Sequence, residues 1–513
     1  MPRIVRIAFL LAILAAGSVA AGGAELLVSQ DGSGGFRTIT GAIDAAHYGD
    51  RIYVNPGVYE EHVYLKDGIT LIGAGAVVTR IRYGYGFEEV LTARNVSSGE
   101  VKGFTIERES SILAGPAVVL DSASVAIADC TVTGGNGAGI EIRDEVSNPS
   151  IERSTITGNG TNGIWAYDGA RVRVIDSEIS GNGGNGVLLS GSAMGEISGG
   201  EIADNRGSGA ALGDDAAIVI AGTELSGNRS WGIELNGRSS GRLSDATIAD
   251  NEEGGIRLGD RSELNASEAR IYGGNVGIAG YGSSSLSIGN SVIGRLKGAG
   301  ISLAEEATGK IGETEIIGCA GEGIIVETEG TCSIDHATIA RNARDGLKIG
   351  GGTVFVSNTI IAYNGSSGIR YQPSPGKPGK IVTSHNDLFG NKSEDYAGIS
   401  RRQSDISAPP DFANLAGGDL TLRPGSACIG AGEGGTTIGA HPDPDGGPGT
   451  IVELNPLYPD LFGLDWSAYT RFSTVPFSLK TLQLKATYAD RRTSLSFAGS
   501  ILGAWGMRAE GEG

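Results

Sequence analysis

The 513-residue chain carries 86 glycines, 6% aromatic residues and a formal charge of −19. That acidity disfavours nucleic acid, whose phosphates need basic patches, and it repels acidic polysaccharide unless a cation such as Ca²⁺ bridges the two. Glycine far above the roughly 7% of average proteins, with no Gly-X-Y period, excludes collagen and points to a chain that turns often between short strands.

The chain opens with Arg3 and Arg6, an apolar run from Ile7 to Ala16, and a small-residue zone from Ser18 to Gly23. Residues 1–21 therefore read as a secretory signal peptide, and the apolar run is too short for a spanning helix. This predicts a secreted, periplasmic or cell-surface protein with no membrane span after cleavage. Cys130, Cys319, Cys332 and Cys428 show no CxxC spacing. In an exported chain they can pair in three ways, and Cys319 and Cys332 are close in sequence.

Residues 24–133 form a distinct opening. The apolar spacing from Phe36 to Ala46 predicts a short amphipathic helix that caps the open end of a stack. The stretch Asp50 to Gly75 alternates as strands around an Asn55-Pro56-Gly57 turn.

Residues 134–390 carry an internal repeat. Gly139, Gly163, Gly186, Gly209, Gly232, Gly255, Gly277, Gly300, Gly323, Gly346 and Gly368 recur every 22–24 residues. Each is followed by an aliphatic or Ala residue, from Ile140 and Ile164 through Ala210 to Ile369, and a second column runs from Ile156 to Ile339. Each unit reads as short strand, turn, short strand, turn, with Ile233 and Leu235 facing one way and Glu234 the other. One such unit cannot cover its own apolar face, but stacked units can. The fold class predicted is all-β, a right-handed parallel β-helix with a capping helix at its start. Asn159, Asn182, Asn205, Asn228 and Asn251 recur in step, four residues before the Gly. Asn tolerates left-handed backbone and bonds neighbouring main chain, so this column predicts a stacked turn ladder. Residues 391–450 read as a closing β-helix segment. Residues 451–513, with Trp466, Trp505 and the alternating LKTLQLKATY, read as an accessory or capping strand tail.

The opening, from DGSGGFRTITGAIDAA to ITLIGAG, resembles the start of pectin methylesterases and relatives in the pectin-lyase-like β-helix superfamily. The repeats are similar to those of generic secreted and NosD-like β-helix proteins, and Pro410 to His441 resembles a closing segment common among them. The resemblance covers about residues 24–441 and implies the β-helix fold. The catalytic signatures of these families are missing: there is no QDTL or DFIFG string, and none of His47, His62, His336, His385 and His441 has Gly on either side. Ile334-Asp335-His336 lacks the preceding Trp of the pectate lyase motif, and His441 to Asp445 has the wrong order for an epimerase motif. No catalytic residue is carried over, and NosD-like metal delivery is disfavoured by scattered His and three Met.

Stacking brings one outward residue per coil into a column: Glu141, Trp165, Leu188, Ala211, Glu234, Arg257, Ala279, Ser302, Ile325, Lys348 and Arg370. Trp165, with Trp231 three residues before Glu234, offers an aromatic platform beside Glu234 and Arg257, the combination a sugar site uses. The substrate-binding candidates are therefore Trp165, Trp231, Glu234 and Arg257, with Glu234 and Arg257 also the candidates for proton transfer. Asp168, Asp214 and Asp260 share a turn column, but Gly191 and Gly237 separate them by two rungs, too far for one small cation. No metal site is read from the sequence, and Ca²⁺ is the one cofactor left open. The expected partner is a polysaccharide or cell-surface glycan, with a lyase, esterase or epimerase as the enzymatic version. The alternative is a non-catalytic surface or periplasmic scaffold.

Overall fold

In the computed structural model, residues 23–84, 89–109, 115–373 and 379–441 are described in full. The backbone is also described for the strands at 469–470, 482–488, 491–498 and 506–510. The expected signal peptide, Trp466 and Trp505 lie outside the described residues.

The repeat folds as a parallel β-solenoid. Each coil lays its strands directly on the matching strands of the coil before, so Ile164 pairs with Val187, Val187 with Ala210, and Ala210 with Ile233. A representative coil has three strands, Val187–Leu189, Met194–Ser198 and Glu201–Ala203. The third strands form a 15-stranded sheet, and the first and second together form a 30-stranded one. The long strands Leu91–Lys102 and Val118–Ala128 bend from the first ladder into the second and so join them.

The sequence pattern gives two strands per unit, and the structure corrects this to three. The middle strand has its own alternation, as at Val172 and Val174 or Ile218 and Ile220, but Gly195, Gly241 and Gly309 interrupt it by taking inward positions on other coils. A Cβ at Gly195 or Gly309 would lie 2.9 or 2.6 Å from a Leu Cδ1 of the strand before it, so a neighbouring leucine fills the space.

The aliphatic columns supply the core. Ile140, Ile164, Ile233, Ile256, Ile156, Ile179 and Ile248 are all fully buried, each contributing roughly 1.5–3 kcal/mol of transfer energy. The marker glycines follow from crowding. A Cβ at Gly139 would stand 2.7 Å from both Asn159 Nδ2 and the Gly163 carbonyl, and 2.8 Å from Ile156 Cγ2.

The Asn column is a buried amide ladder. Asn159, Asn182, Asn205 and Asn228 each donate Nδ2 to the Oδ1 of the next, at 2.9–3.0 Å. Their left-handed role is corrected: the residue before each Asn has positive φ, as at Gly181 (64°) and Asp204 (55°). The ladder stops at Asn251, where Gly274, Leu296 and Cys319 follow in the column, and resumes from Asn342 through Asn364 to Asn391.

The expected capping helix spans Ile39–Ala45 and buries Ile39, Ala42 and Ile43. Thr38 caps it, and the Glu61 carboxylate accepts the Ile39 and Thr40 N–H groups, both at 2.9 Å. All four cysteines are buried and free, which corrects the pairing considered for Cys319 and Cys332. Cys319 occupies an Asn-ladder position, whereas Cys332 faces the core from a middle strand.

At the far end a strap, Cys428 to His441, returns along the outside of the third ladder. It touches Asp387 through Cys428 Sγ (3.1 Å), Asn358 through the Glu433 and Gly439 N–H groups (both 2.8 Å), and Thr338 through the Ala440 N–H (2.9 Å). It reaches Glu315 through His441 Nε2 (2.6 Å). The outward side chains of Ile317, Ala340 and Ile360 are buried there.

The solenoid lies in a compact unit drawn from Met1–Asp411 and Leu422–Pro444. A second unit, drawn from Phe412–Thr421 and Asp445–Gly513, contains the antiparallel strands Tyr469–Thr470, Leu482–Tyr488, Arg491–Ala498 and Gly506–Glu510. Among the described residues no helix is long and apolar enough to cross a membrane.

Candidate functional site

Inward and outward residues alternate along each short strand, so the first ladder presents two outward columns two residues apart. One runs Tyr64, Thr92, Val119, Glu141, Trp165, Leu188, Ala211, Glu234, Arg257. Beside it Arg94, Asp121 and Arg143 stand in register, with Tyr167 on the next coil.

This geometry divides the four sequence candidates. Trp165 and Glu234 are three rungs apart, about 14 Å. Glu234 is fully engaged: its Oε1 accepts from Arg257 (2.6 Å) and Asn236 (3.2 Å), and its Oε2 from Ser208 (3.1 Å). A carboxylate holding three donors orients its neighbours. Trp231 pairs in register with Gly254, where an added Cβ would lie 2.5 Å from the indole. That close approach sets Trp231 down on its own stack. Lys348 and Arg370 are likewise paired, with Glu327 at 2.8 Å and Asp345 at 2.7 Å.

Trp165 belongs to a different group, nearer the start of the stack. Its ring centroid is 4.7 Å from that of Tyr167, tilted by 37°, and its Nε1 donates to Ser190 at 3.4 Å. The Tyr167 hydroxyl donates to Glu141 at 2.7 Å. Arg143 lies 3.8 Å from Glu141 and 3.2 Å from Asp121, and Arg94 lies 3.9 Å from Asp121 on its other side. Burial works against the Arg143 charge, but Tyr167, Asp121 and Glu141 outweigh it and hold its pKa above the usual value. Burial, then the Glu141 carboxylate, raises that of the Tyr167 phenol. Of these groups Arg94, Asp121 and Arg143 line an open depression of about 600 Å³, together with Asp144, Glu145 and Asp168.

The sequence reading missed Tyr167, Arg143, Asp121 and Arg94. The column two residues past Glu141 and Trp165 would have shown Arg143 and Tyr167. Asp121 and Arg94 precede the first marker glycine, so the repeat did not place them.

The Asp column is a register device. Asp214 and Asp260, with φ of 56° and 54°, accept the N–H of Gly191 and Gly237 on the rung before, each at 2.9 Å. Among the described residues no group of three His, Cys, Asp or Glu side chains is placed to hold a metal ion.

Comparison with known proteins adds the family. The profile of the right-handed β-helix region matches residues 63–194, 144–293 and 254–407, which together run unbroken over about two thirds of the chain. The chain belongs to the right-handed β-helix family. This β-helix protein is 34% identical over 119 residues to a probable pectinesterase/pectinesterase inhibitor of Arabidopsis thaliana, covering 20% of the chain and 22% of that relative's length. Among solved structures it is similar to the A-module of the mannuronan C-5 epimerase AlgE4 of Azotobacter vinelandii. There the identity is 17% and the TM-score 0.39, covering 70% of this chain and 95% of that one. The catalytic domain of a GH87 α-1,3-glucanase matches with 12% identity and a TM-score of 0.36, over 74% and 68% of the two chains.

Proposed function

We propose that this is an exported β-helix protein that binds carbohydrate on the first-ladder face around Trp165 and Tyr167. The observation that carries the reading is the tilted ring pair set beside Glu141 and beside Arg143, which lines an open depression. Ring faces take the C–H face of a sugar, while fixed carboxylate and guanidinium groups meet its hydroxyls. The partial likeness to a pectinesterase points the same way, and the signal-like residues 1–21 support export.

For Asp121 and Glu141, positioning a bound sugar fits better than acid–base catalysis. Asp121 and Glu141 are each held by a guanidinium, and Glu141 also by a phenol. General acid–base work instead needs a carboxyl free to exchange its proton with the ligand. The scaffold reading draws on the Glu234–Arg257 pair and the Asn ladder, which serve the stack itself.

A glycan array probed with the whole chain tests the proposal, followed by titration of each hit against Trp165→Ala and Glu234→Ala. Loss of binding in Trp165→Ala with retention in Glu234→Ala is the expected result. An array without hits sinks the carbohydrate reading and leaves the scaffold.

A further inference from the structure

The same face carries a second aromatic platform. Tyr64 is 52% exposed and stacks with His62, ring centroids 4.1 Å apart and planes 25° from parallel. It stands in the column of Trp165, in register through Thr92, Val119 and Glu141. Thr92 and Val119 are buried, so a ligand joining the two rings runs over the flanking column of Arg94, Asp121 and Arg143. Four rungs separate the two rings, about 19 Å along the axis.

What lies between decides the ligand's charge. The depression on that flanking column is lined by four carboxylates, Asp121, Asp144, Glu145 and Asp168, against two guanidiniums, Arg94 and Arg143. Both guanidiniums already face Asp121, and Arg143 faces Glu141 as well. A polyuronate would bring further carboxylates to a surface with an acidic excess, and would have to break existing ion pairs to reach a cation. Sugar hydroxyls donate to the carboxylates and accept from the remaining guanidinium N–H groups with no charge penalty.

Resting on the carbohydrate reading above, we infer that the ligand is an uncharged glycan laid across the rungs, long enough to touch both platforms, and that polyuronates are rejected. Contact with one ring holds a short oligomer weakly. Contact with both makes the second binding step intramolecular, so affinity climbs once the chain spans the gap.

The test titrates the whole chain with length series of neutral gluco-, manno- and xylo-oligosaccharides and with oligogalacturonates of matched length, at low and high salt. Affinity for at least one neutral series is expected to rise with length and level off once the oligomer spans about 19 Å. Tyr64→Ala and Trp165→Ala should each weaken the long oligomers by roughly tenfold and flatten the length dependence. Phe355→Ala, an exposed aromatic on the middle ladder, should change nothing. Tighter binding of oligogalacturonate than of every neutral series, at both salt levels, overturns the inference and leaves the carbohydrate reading standing. An affinity independent of length, or insensitive to Tyr64→Ala, overturns the two-platform arrangement. No binding in any series removes the carbohydrate reading itself.

Discussion

Replacing Asn205 by Ala tests the amide ladder at its centre. Asn205 Oδ1 accepts from the Asn182 N–H (3.0 Å) and Nδ2 (2.9 Å), while its Nδ2 donates to the Ile179 carbonyl and to Asn228 Oδ1, both at 3.0 Å. Asn182 Nδ2 keeps the Ile156 carbonyl, and Asn228 Oδ1 keeps the Asn205 N–H. The buried Asn182 N–H loses the acceptor it has now. Four lost hydrogen bonds at about 1 kcal/mol each, one leaving an orphaned buried amide, give a cost of roughly 3–4 kcal/mol. At the ladder's end Asn159 behaves differently: its Oδ1 has no partner, and two of its three Nδ2 contacts are long, at 3.3 and 3.4 Å. Asn159→Ala orphans no donor in this way and should cost about 1 kcal/mol. Hydrogen exchange reads the difference locally. The Asn182 amide should lose protection in Asn205→Ala while the Asn228 amide, bonded to Asn251, keeps its own. Equal losses in the two variants, or an Asn182 amide still protected in Asn205→Ala, would refute the reasoning.

Ser239, Ser262 and Ser284 are buried with unpartnered hydroxyls in a column where Ala170, Ala193, Ala216 and Ala307 stand on other coils. Each Ser→Ala change should therefore raise the urea midpoint, with a gain in unfolding free energy of up to about 1 kcal/mol; a lowered midpoint would show that the hydroxyls are satisfied after all. Asp345 accepts from the Ser367 N–H and from Arg370, and although burial opposes its charge, these donors lower its pKa. A depressed folded-state pKa stabilises above the unfolded value of about 3.9 and loses that contribution as pH falls through the folded value. The stability gap between wild type and Asp345→Asn should thus narrow as pH drops below about 4, and a gap that widens there contradicts the assignment. Deleting residues 182–204, one whole 23-residue coil, sets Asn159 against Asn205 and preserves every ladder. Circular dichroism and a cooperative melt close to wild type are expected, whereas removing half a coil should abolish the folded spectrum.

The stack itself was legible because its strongest constraint is periodic. Glycine where the next coil's glycine carbonyl and aliphatic crowd in, with an aliphatic next to it, recurs because the same close contact is rebuilt coil after coil, and the buried Asn recurs wherever its ladder runs. The middle strand was legible only in part, because Gly195, Gly241 and Gly309 interrupt its apolar alternation, their space being filled from a neighbouring strand. The candidate face was half visible. Trp165 stands in the marked column, but it had been grouped with Glu234, although three rungs of register lie between them. Asp121 and Arg94 sit on coils of irregular length, where counting residues does not give the rung. The Cys428–His441 strap lies beyond any periodic argument, since its contacts join Glu315 and Thr338 to residues more than 100 positions away.

That strap gives the molecule a mechanical polarity. In a solenoid each coil holds only its neighbours, so an unprotected end peels one turn at a time. Here the rungs of Asp387, Asn358, Thr338 and Glu315 are stitched across by one segment. A pull on the far end must lift the stitch before any of these coils can unwind, and they then let go as a block. Among the described residues, the coils between the helix-capped start and the strap have no such fastening. Tension along the axis therefore meets a zipper that opens tooth by tooth through its middle and a clasp at its end.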